Sequence, residues 1–472
     1  MALAEKFFDL QELPVRLPAA ILGSLTVILI YLLVKHLWKN KYLGLLAAFF
    51  LSICPWHIIL SRASSEDIVA NFLILLGLLF FLNKKIINYF LALCFFVLSF
   101  YFYFSSRIII PLVILGMGLI YSSNKLLRKK AIFSFLIICF ILMIITLLSH
   151  QTRFQAVSIF TNIENKLIVE EQIREDGMLK IKPMVARIFH NKALQLAKAF
   201  INQYGKYFSL DFLFIEGGLP IRYKIPASGL LLLTTLPLTF LGLVFLLKNI
   251  KLPINKYLLW CLLVAPVPAA LTYENSPNIR RASFLIFCLV IVQALGTYYL
   301  LTEIIKKRRL RVMISSLLLI LIIFDLTLFI HNGMVNAKMH RPWERNYGYK
   351  DLINYINKIE GDYQAIYVSE AIDNDPYIFF LFYLKANPND YQKVSYQKPA
   401  RLAGDNKEQW QWGKYIFVRE QCPFVANKNV LIVGRGECQE QKNFKSLKQI
   451  YRTDMTPIFN LYVYNDNKEN EN

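Results

Sequence analysis

The chain has 472 residues, of which 56% are apolar and 14% aromatic, with 53 Lys and Arg against 32 Asp and Glu and a formal net charge of +21. That apolar share is far above the needs of a soluble domain. The charge invites a nucleic-acid reading, but it is scattered over short connectors and no soluble face gathers it, so nucleic acid is not expected as a partner.

Ten long apolar stretches follow in chain order, at 17–34, 42–60, 68–82, 86–106, 108–124, 131–149, 225–247, 257–273, 282–302 and 312–330. Most reach the ~17–25 residues that cross a bilayer core as a helix. Every second connector is basic: 35–41, 84–85, 125–130, 248–256 and 303–311 hold 17 Lys and Arg and a single acid. The alternate short connectors carry only Arg62, Arg107, Arg280 and Arg281, mixed with Glu66, Asp67 and Glu274. Basic connectors stay in the cytoplasm. The pattern therefore predicts a polytopic protein of the cytoplasmic membrane with both termini outside, and its topology accounts for most of the net charge.

On this reading residues 1–16 are a short outer approach and 17–149 hold six spans. Residues 150–224 are a long outer loop, 225–331 hold four more spans, and 332–472 form an outer tail. Cys54-Pro55-Trp56-His57 interrupts a span, which suits helices around a polar cavity. In the outer loop, Val185, Ile188, Phe189, Leu196 and Phe200 fall at helical spacing between 183 and 204, with Arg187, Lys192 and Lys198 among the polar positions. Such a helix can lie in the membrane interface or pack on the outer tail. The aromatic run from Tyr207 to Gly218 reads as a tight ordered loop.

The tail alternates strand-like runs at 365–368, 415–418, 430–433 and 458–464 with a helical stretch at 350–359, which predicts a small α/β domain. Gly434-Arg435-Gly436 reads as a simple turn. Cys54, Cys94, Cys139, Cys261 and Cys288 lie in spans as small apolar residues. Cys422 and Cys438 lie in the tail, where an oxidising compartment permits a bridge. No metal-spaced His cluster or nucleotide-binding glycine motif is present, so no cofactor is expected and a divalent metal is left open.

Reactive side chains gather at the outer span ends, in the hairpins at 61–67, 101–107 and 274–281. Guanidinium forks there match phosphate geometry, and carboxylates beside them can serve as bases. With aromatics available to stack on sugar rings, the pattern suggests a lipid-phosphate-linked sugar. Anchoring of helices at the headgroups by interfacial Arg, Tyr and Trp is the plainer alternative.

The order PVRLPAAILGSLTVILIYLL … LLAAFFLSICPWHIILSRASSEDIVANFLILLG resembles the opening half of bacterial GT-C-fold glycosyltransferases. These are polyprenyl-phosphate-sugar-dependent enzymes related to protein O-mannosyltransferases and lipid A aminoarabinose transferases. FYFSSRIIIPL, FHNK, YFSLDFLFIEGGLPIRYKIPASGLL and ENSPNIRRASFLIF continue the likeness downstream, so that it covers roughly 12–330. It implies a GT-C-like α-helical membrane domain over 1–331, with about ten transmembrane helices, and a small α/β extracytoplasmic domain over 332–472. Its partners would be a polyprenyl-phosphate-sugar donor, a protein, lipid or polysaccharide acceptor, and the bilayer.

Two departures stand out. The family pattern begins with a span and an outer loop carrying an acidic catalytic base, for which this chain has no match, and Asn278 stands where the pattern often has His. With no signal peptide before the 17–34 span, the sequence reads as a fragment lacking that first helix and loop. The resemblance implies Glu66 as the catalytic carboxylate, orienting the acceptor or supporting the base. It implies Arg62, Arg107 and Arg280, and more weakly Arg222, as ligands of the carrier phosphate. A helix N-terminal role for Glu66 is the alternative. Asp325, near the outer end of the last span, is read as snorkelling to the interface. A lipid or sugar transporter, and an inactive membrane scaffold, are the rival functions.

Overall fold

The computed structural model describes residues 7–8, 10–83, 85–120, 126–148, 157–370, 376–387, 389, 410–425, 427–438 and 443–464. Lys84, Asn124, Lys125, 150–156 and Asn406 fall outside the described residues. The chain divides into two compact units, Arg16–Gly333 and the tail Met334–Asn472 together with Met1–Val15.

Each of the ten apolar stretches is helical over much of its length. In chain order the helices are α1 (Glu12–Trp38), α2 (Lys41–Ser52), α3 (Pro55–Arg62), α4 (Glu66–Leu82), α5 (Ile86–Phe102), α6 (Ser106–Ile120) and α7 (Leu126–Leu148). The segment that follows holds α8 (Ile163–Met178), α9 (Pro183–Phe189) and α10 (Lys192–Lys206), and after it come α11 (Leu236–Lys248), α12 (Pro253–Val264), α13 (Val267–Ala270), α14 (Leu285–Tyr299) and α15 (Arg308–His331). Among the described residues four segments are long and apolar enough to cross a membrane: Glu12–Trp38, Pro253–Ala270, Leu285–Ile304 and Arg308–Met339. The bent pair α2 and α3, turned by 59°, makes a fifth if it counts as one span. Others are shorter; α4 and α5 have 17 residues and α6 has 15, which is about 23–26 Å of helix.

Two departures from the sequence reading have local causes. The 225–247 stretch becomes helical only at its second half, because Leu230 and Leu231 instead donate their backbone N–H groups to Leu213 O. A side chain on Gly229 would strike the backbone of Phe214. The single helix expected over 183–204 is two, α9 and α10, parted where the Asn191 side chain accepts from Leu194 N at 3.0 Å and caps the second. Helix α8 had no counterpart in the sequence reading.

Helix α14 is the centre of the first unit, buried along nearly its whole length. Gly242 and Gly296 let it meet α11 backbone to backbone: a Cβ on Gly296 would lie 1.9 Å from Leu238 O, and one on Gly242 2.0 Å from Val292 O. Between them the buried Gln293 donates to Thr235 at 2.9 Å and Thr239 at 3.3 Å. Such small-residue contacts and buried hydrogen bonds are what hold helices together in lipid. Ile21, Leu25 and Ile28 of α1 and Leu317, Ile320 and Phe324 of α15 are exposed, the apolar outer surface a bilayer would cover.

The tail unit holds a six-stranded sheet of β1 (Ala365–Ser369), β2 (Trp410–Trp412), β3 (Tyr415–Val418), β4 (Val430–Arg435), β5 (Phe444–Tyr451) and β6 (Pro457–Tyr464), in the order β2-β3-β1-β4-β6-β5. Strands β3, β1 and β4 are parallel and the others pair antiparallel. One face packs on α16 (Tyr349–Ile359) and α17 (Tyr377–Tyr383), through Leu352, Ile356 and Phe380. The other holds Ile432, Tyr462 and the Cys422–Cys438 disulfide, whose Cα atoms are 5.7 Å apart. The small α/β domain and the bridge expected from the sequence are both present; β2 and β5 are additions. Gly434-Arg435-Gly436, read as a simple turn, instead ends β4: Gly434 and Arg435 pair with Asn460 and Phe459 of β6, and the turn begins only at Gly436.

Candidate functional site

The connectors sort into two groups by their contacts. Trp38 donates to Asn255 Oδ1 at 3.2 Å and Lys248 donates to the Tyr299 hydroxyl at 2.8 Å, which brings the basic connectors after α1, α11 and α14 to one end of the unit. The hairpins of mixed charge meet at the other end, and the polar cluster lies there.

The cluster centres on Arg280. Its Nε donates to Asp67 Oδ1 at 3.0 Å and its Nη2 to Glu66 Oε2 at 3.2 Å. The guanidinium also lies 5.4 Å from the centre of the Tyr103 ring, a cation–π distance. One arginine therefore ties together the hairpins between α3 and α4, between α5 and α6, and before α14. Asp67 is 0% exposed and also accepts from the Ser65 hydroxyl, whereas the Glu66 side chain is 62% exposed. Burial alone would lower the Arg280 pKa, but Asp67, with the Tyr103 and Tyr223 phenols, holds it above its ordinary value. The same burial raises the pKa of the Asp67 carboxyl, with Arg280 and the Ser65 hydroxyl opposing the shift, and the pair lies half inside, half outside.

Local structure makes this arrangement. Helix α4 starts at Glu66, so both acids fall in its first turn, where carboxylates offset the helix dipole. One turn on, Asn71 donates to Ser283 at 2.8 Å, which puts Asp67 and Asn71 on the helix face turned toward the 278–284 segment. There Asn278 accepts at 3.0 Å from the backbone N–H groups of both Arg280 and Arg281 and fixes the turn. The Asn278 N–H donates to the Tyr207 hydroxyl, and Trp56 Nε1 donates to Ile279 O, each at 3.0 Å. Beside it, Leu219 N donates to Pro277 O and Ile279 N to Leu219 O. This close run requires Gly218, whose Cβ would sit 2.6 Å from Pro277 O, while Gly217 has φ +73°. The aromatic run at 207–218, read as a tight loop, holds a π-helical turn at Asp211–Ile215 and is irregular only around it.

The other expected residues lie differently. Arg107 donates through Nε to Phe100 O at 3.2 Å, between the Phe100 and Phe104 rings, and so caps the end of α5. Arg222 is exposed and lies 5.2 Å from the Tyr223 ring. Arg62 is exposed in the last turn of α3. Among the described residues none of these three makes a hydrogen bond or ion pair with Glu66, Asp67 or Arg280. Arg281 closes its own loop on Thr272 at 2.9 Å and the Glu274 carboxylate at 3.0 Å. Asp325 is not a snorkelling side chain, since its carboxylate accepts from Thr234 N at 2.9 Å and Thr234 Oγ1 at 3.0 Å. No group of three or more His, Cys, Asp or Glu is placed to hold a metal ion among the described residues.

Asp67 and Tyr103 are the members of the cluster that sequence reasoning did not single out. Their signal is spacing: Asp67 and Asn71 share a helix face, and Tyr103 sits beside Arg107 in a hairpin of the same side.

Fold and site together define a multi-pass helical membrane protein with an ionic cluster at one set of helix ends and a small α/β domain. The model of the dolichyl-phosphate-mannose-protein mannosyltransferase family matches residues 1–150. This supports, over that part, the resemblance to GT-C-fold glycosyltransferases read from the motifs. Among solved structures the chain is similar to the crystal structure of the Archaeoglobus fulgidus oligosaccharyltransferase in complex with zinc and sulfate. The identity is 13% and the TM-score 0.45, over 86% of this chain and 49% of that one. The chain thus spans about half the length of that structure. No curated protein matches it.

Proposed function

We propose that this chain is a membrane glycosyltransferase of the GT-C type, which moves a sugar from a polyprenyl-phosphate donor to a protein, lipid or polysaccharide acceptor at the outer face of the membrane. The observation that carries this reading is the Arg280 cluster, set at helix ends in a chain whose first 150 residues match a glycosyltransferase family model. In an inverting transfer an acceptor hydroxyl attacks the anomeric carbon, its proton passes to a base, and the bond to the carrier phosphate breaks. Negative charge then develops on the departing phosphate, and fixed cations facing it lower the barrier. Arg280 is such a cation, held by the buried Asp67 instead of by solvent. Exposed Arg62 and Arg222, with Arg107 at the next hairpin, supply further guanidinium groups, and Glu66 is the carboxylate left open to an acceptor.

Asp325 speaks against the transporter reading, because its carboxylate is taken up by Thr234 and serves a helix start. The test is transfer in proteoliposomes supplied with polyprenyl-phosphate-linked radiolabelled sugars. Appearance of labelled product or released sugar, lost in Glu66→Gln, is the expected outcome. Movement of the lipid-linked sugar across the bilayer with its phosphate bond intact would replace this reading with transport.

A further inference from the structure

The segment between α8 and α10 carries an apolar face that is exposed among the described residues. On α9, Met184 is 79% exposed, Ile188 59% and Phe189 64%, and the adjoining Met178, Leu179 and Ile181 are exposed as well. Met184 and Ile188 are one helical turn apart, so they lie on a single face. Ala186 is the buried residue of this short helix. A patch of this kind on a protein that stayed in water would be an aggregation hazard.

Charge runs with it. From 177 to 206 the sequence has six Lys and Arg and no acid: Lys180, Lys182, Arg187, Lys192, Lys198 and Lys206. All six are exposed, and none forms an ion pair among the described residues. The neighbouring α8 differs, since its Arg174 pairs with Glu171 and its Lys166 with Glu170. A long connector is free of the charge rule that sorts short ones, so these cations call for a counterion of their own.

Position supplies the counterion. Both ends of the segment are tied to the helix ends on the site side: Ile159 N donates to Leu271 O at 3.1 Å, and the Tyr204 hydroxyl donates to Leu263 O at 2.7 Å. Gln203 meets Ser276 at the same level. A helix held there, apolar on one face and ringed by lysines and arginine, has the makeup of one lying in the headgroup layer. We infer that residues 178–201 form a membrane-docking surface, with Met184, Ile188 and Phe189 set among acyl chains and the cations on anionic phospholipid headgroups of the site-side leaflet.

The full chain in nanodiscs, with the partly exposed Cys94 replaced by Ser, can carry a nitroxide at Ile188→Cys, at Glu171→Cys on α8 or at Ile320→Cys on the apolar surface of α15. Power saturation compares collisions with oxygen, which prefers lipid, and with a water-soluble nickel chelate. At position 188 the oxygen-to-nickel ratio should approach that at 320 and exceed that at 171. Adding phosphatidylglycerol to zwitterionic discs should raise it further, and the combined substitution K180Q/K182Q/R187Q/K192Q should abolish that rise. A label at 188 as open to nickel as the one at 171 would overturn the inference. So would a label shielded from both reagents, the result expected if protein covered the face. A ratio at 188 indifferent to phosphatidylglycerol would reject the anionic lipid as the counterion.

Discussion

Arg280 faces two carboxylates with opposite surroundings, and this division explains how one residue can be both anchored and available. The buried Asp67 fixes its Nε edge, the exposed Glu66 meets only Nη2, and Tyr103 supports the plane. Removing one partner of a buried ion pair costs about 3–5 kcal/mol. Asp67→Asn is therefore expected to lower the thermal midpoint of the protein in detergent strongly, while Glu66→Gln, at an exposed position, should cost about 1 kcal/mol or less. Equal effects of the two would mean that the burial contrast has no energetic weight. For the carrier phosphate, Arg62→Ala, Arg107→Ala and Arg280→Ala should each weaken binding of a polyprenyl phosphate, with Lys restoring it only in part because the planar fork is lost. Unchanged binding in three folded variants would return these residues to the role of helix anchors. The sequence displays Glu66 and Arg280 as charged groups at helix ends, but not their contact, since 214 residues separate them. Nor does it reveal that Asn278 builds the turn bearing Arg280, because a side chain accepting from two backbone groups leaves no periodic trace.

Among the helices, the legible and the hidden divide along similar lines. Apolar length marks each membrane stretch, and Lys-rich connectors mark their alternation. Where helices start depends on contacts from far away: Leu213 O holds Leu230 and Leu231 out of a helix, and Thr234 takes up Asp325. The α11–α14 contact is the sharpest case, because Gly296 faces a carbonyl oxygen and not a flexible side chain. Overpacking a well-filled core typically costs about 1–3 kcal/mol, and Gly296→Leu should exceed Gly177→Leu, where a Cβ meets nothing within 4 Å, by at least about that amount in detergent melts. Equal tolerance would show that the two helices are free to part. In the tail unit the bridge closes a short loop, its cysteines lying 16 positions apart. Chain-entropy estimates give roughly 3 kcal/mol for such a loop, so the double Cys422→Ser, Cys438→Ser variant should melt earlier than the oxidised protein, by the same shift as reduction of the native chain. A reduced chain as stable as the oxidised one would remove the bridge from the stabilising contacts.

For the molecule as a whole, sidedness is the property on which the proposed chemistry turns. Contacts put the hairpins of mixed charge at one end of the first unit and basic connectors at the other, the arrangement the charge alternation implies. The ionic cluster binds 66, 103 and 280 into one group, while Trp38–Asn255 and Lys248–Tyr299 join the basic ends. Which end faces out follows from the preference of Lys and Arg for the cytoplasm, a rule about insertion that the folded geometry does not contain. Single cysteines can read it directly on intact cells with a membrane-impermeant thiol reagent. Ser64→Cys, two residues before Glu66, and Ser276→Cys, in the hairpin of Arg280, should label without permeabilisation. Lys251→Cys, in the basic connector after α11, should label only once the membrane is opened. The charged groups of the cluster are Glu66, Asp67 and Arg280, so Ser64→Cys and Ser276→Cys, the latter losing contacts with Gln203 and Tyr207, leave all three in place and report the orientation. Labelling of position 251 from outside, with 64 and 276 protected, would turn the whole site toward the cytoplasm. The donor would then have to present its sugar on that face, and the proposed transfer to an outer acceptor would fail even with every residue of the cluster in place.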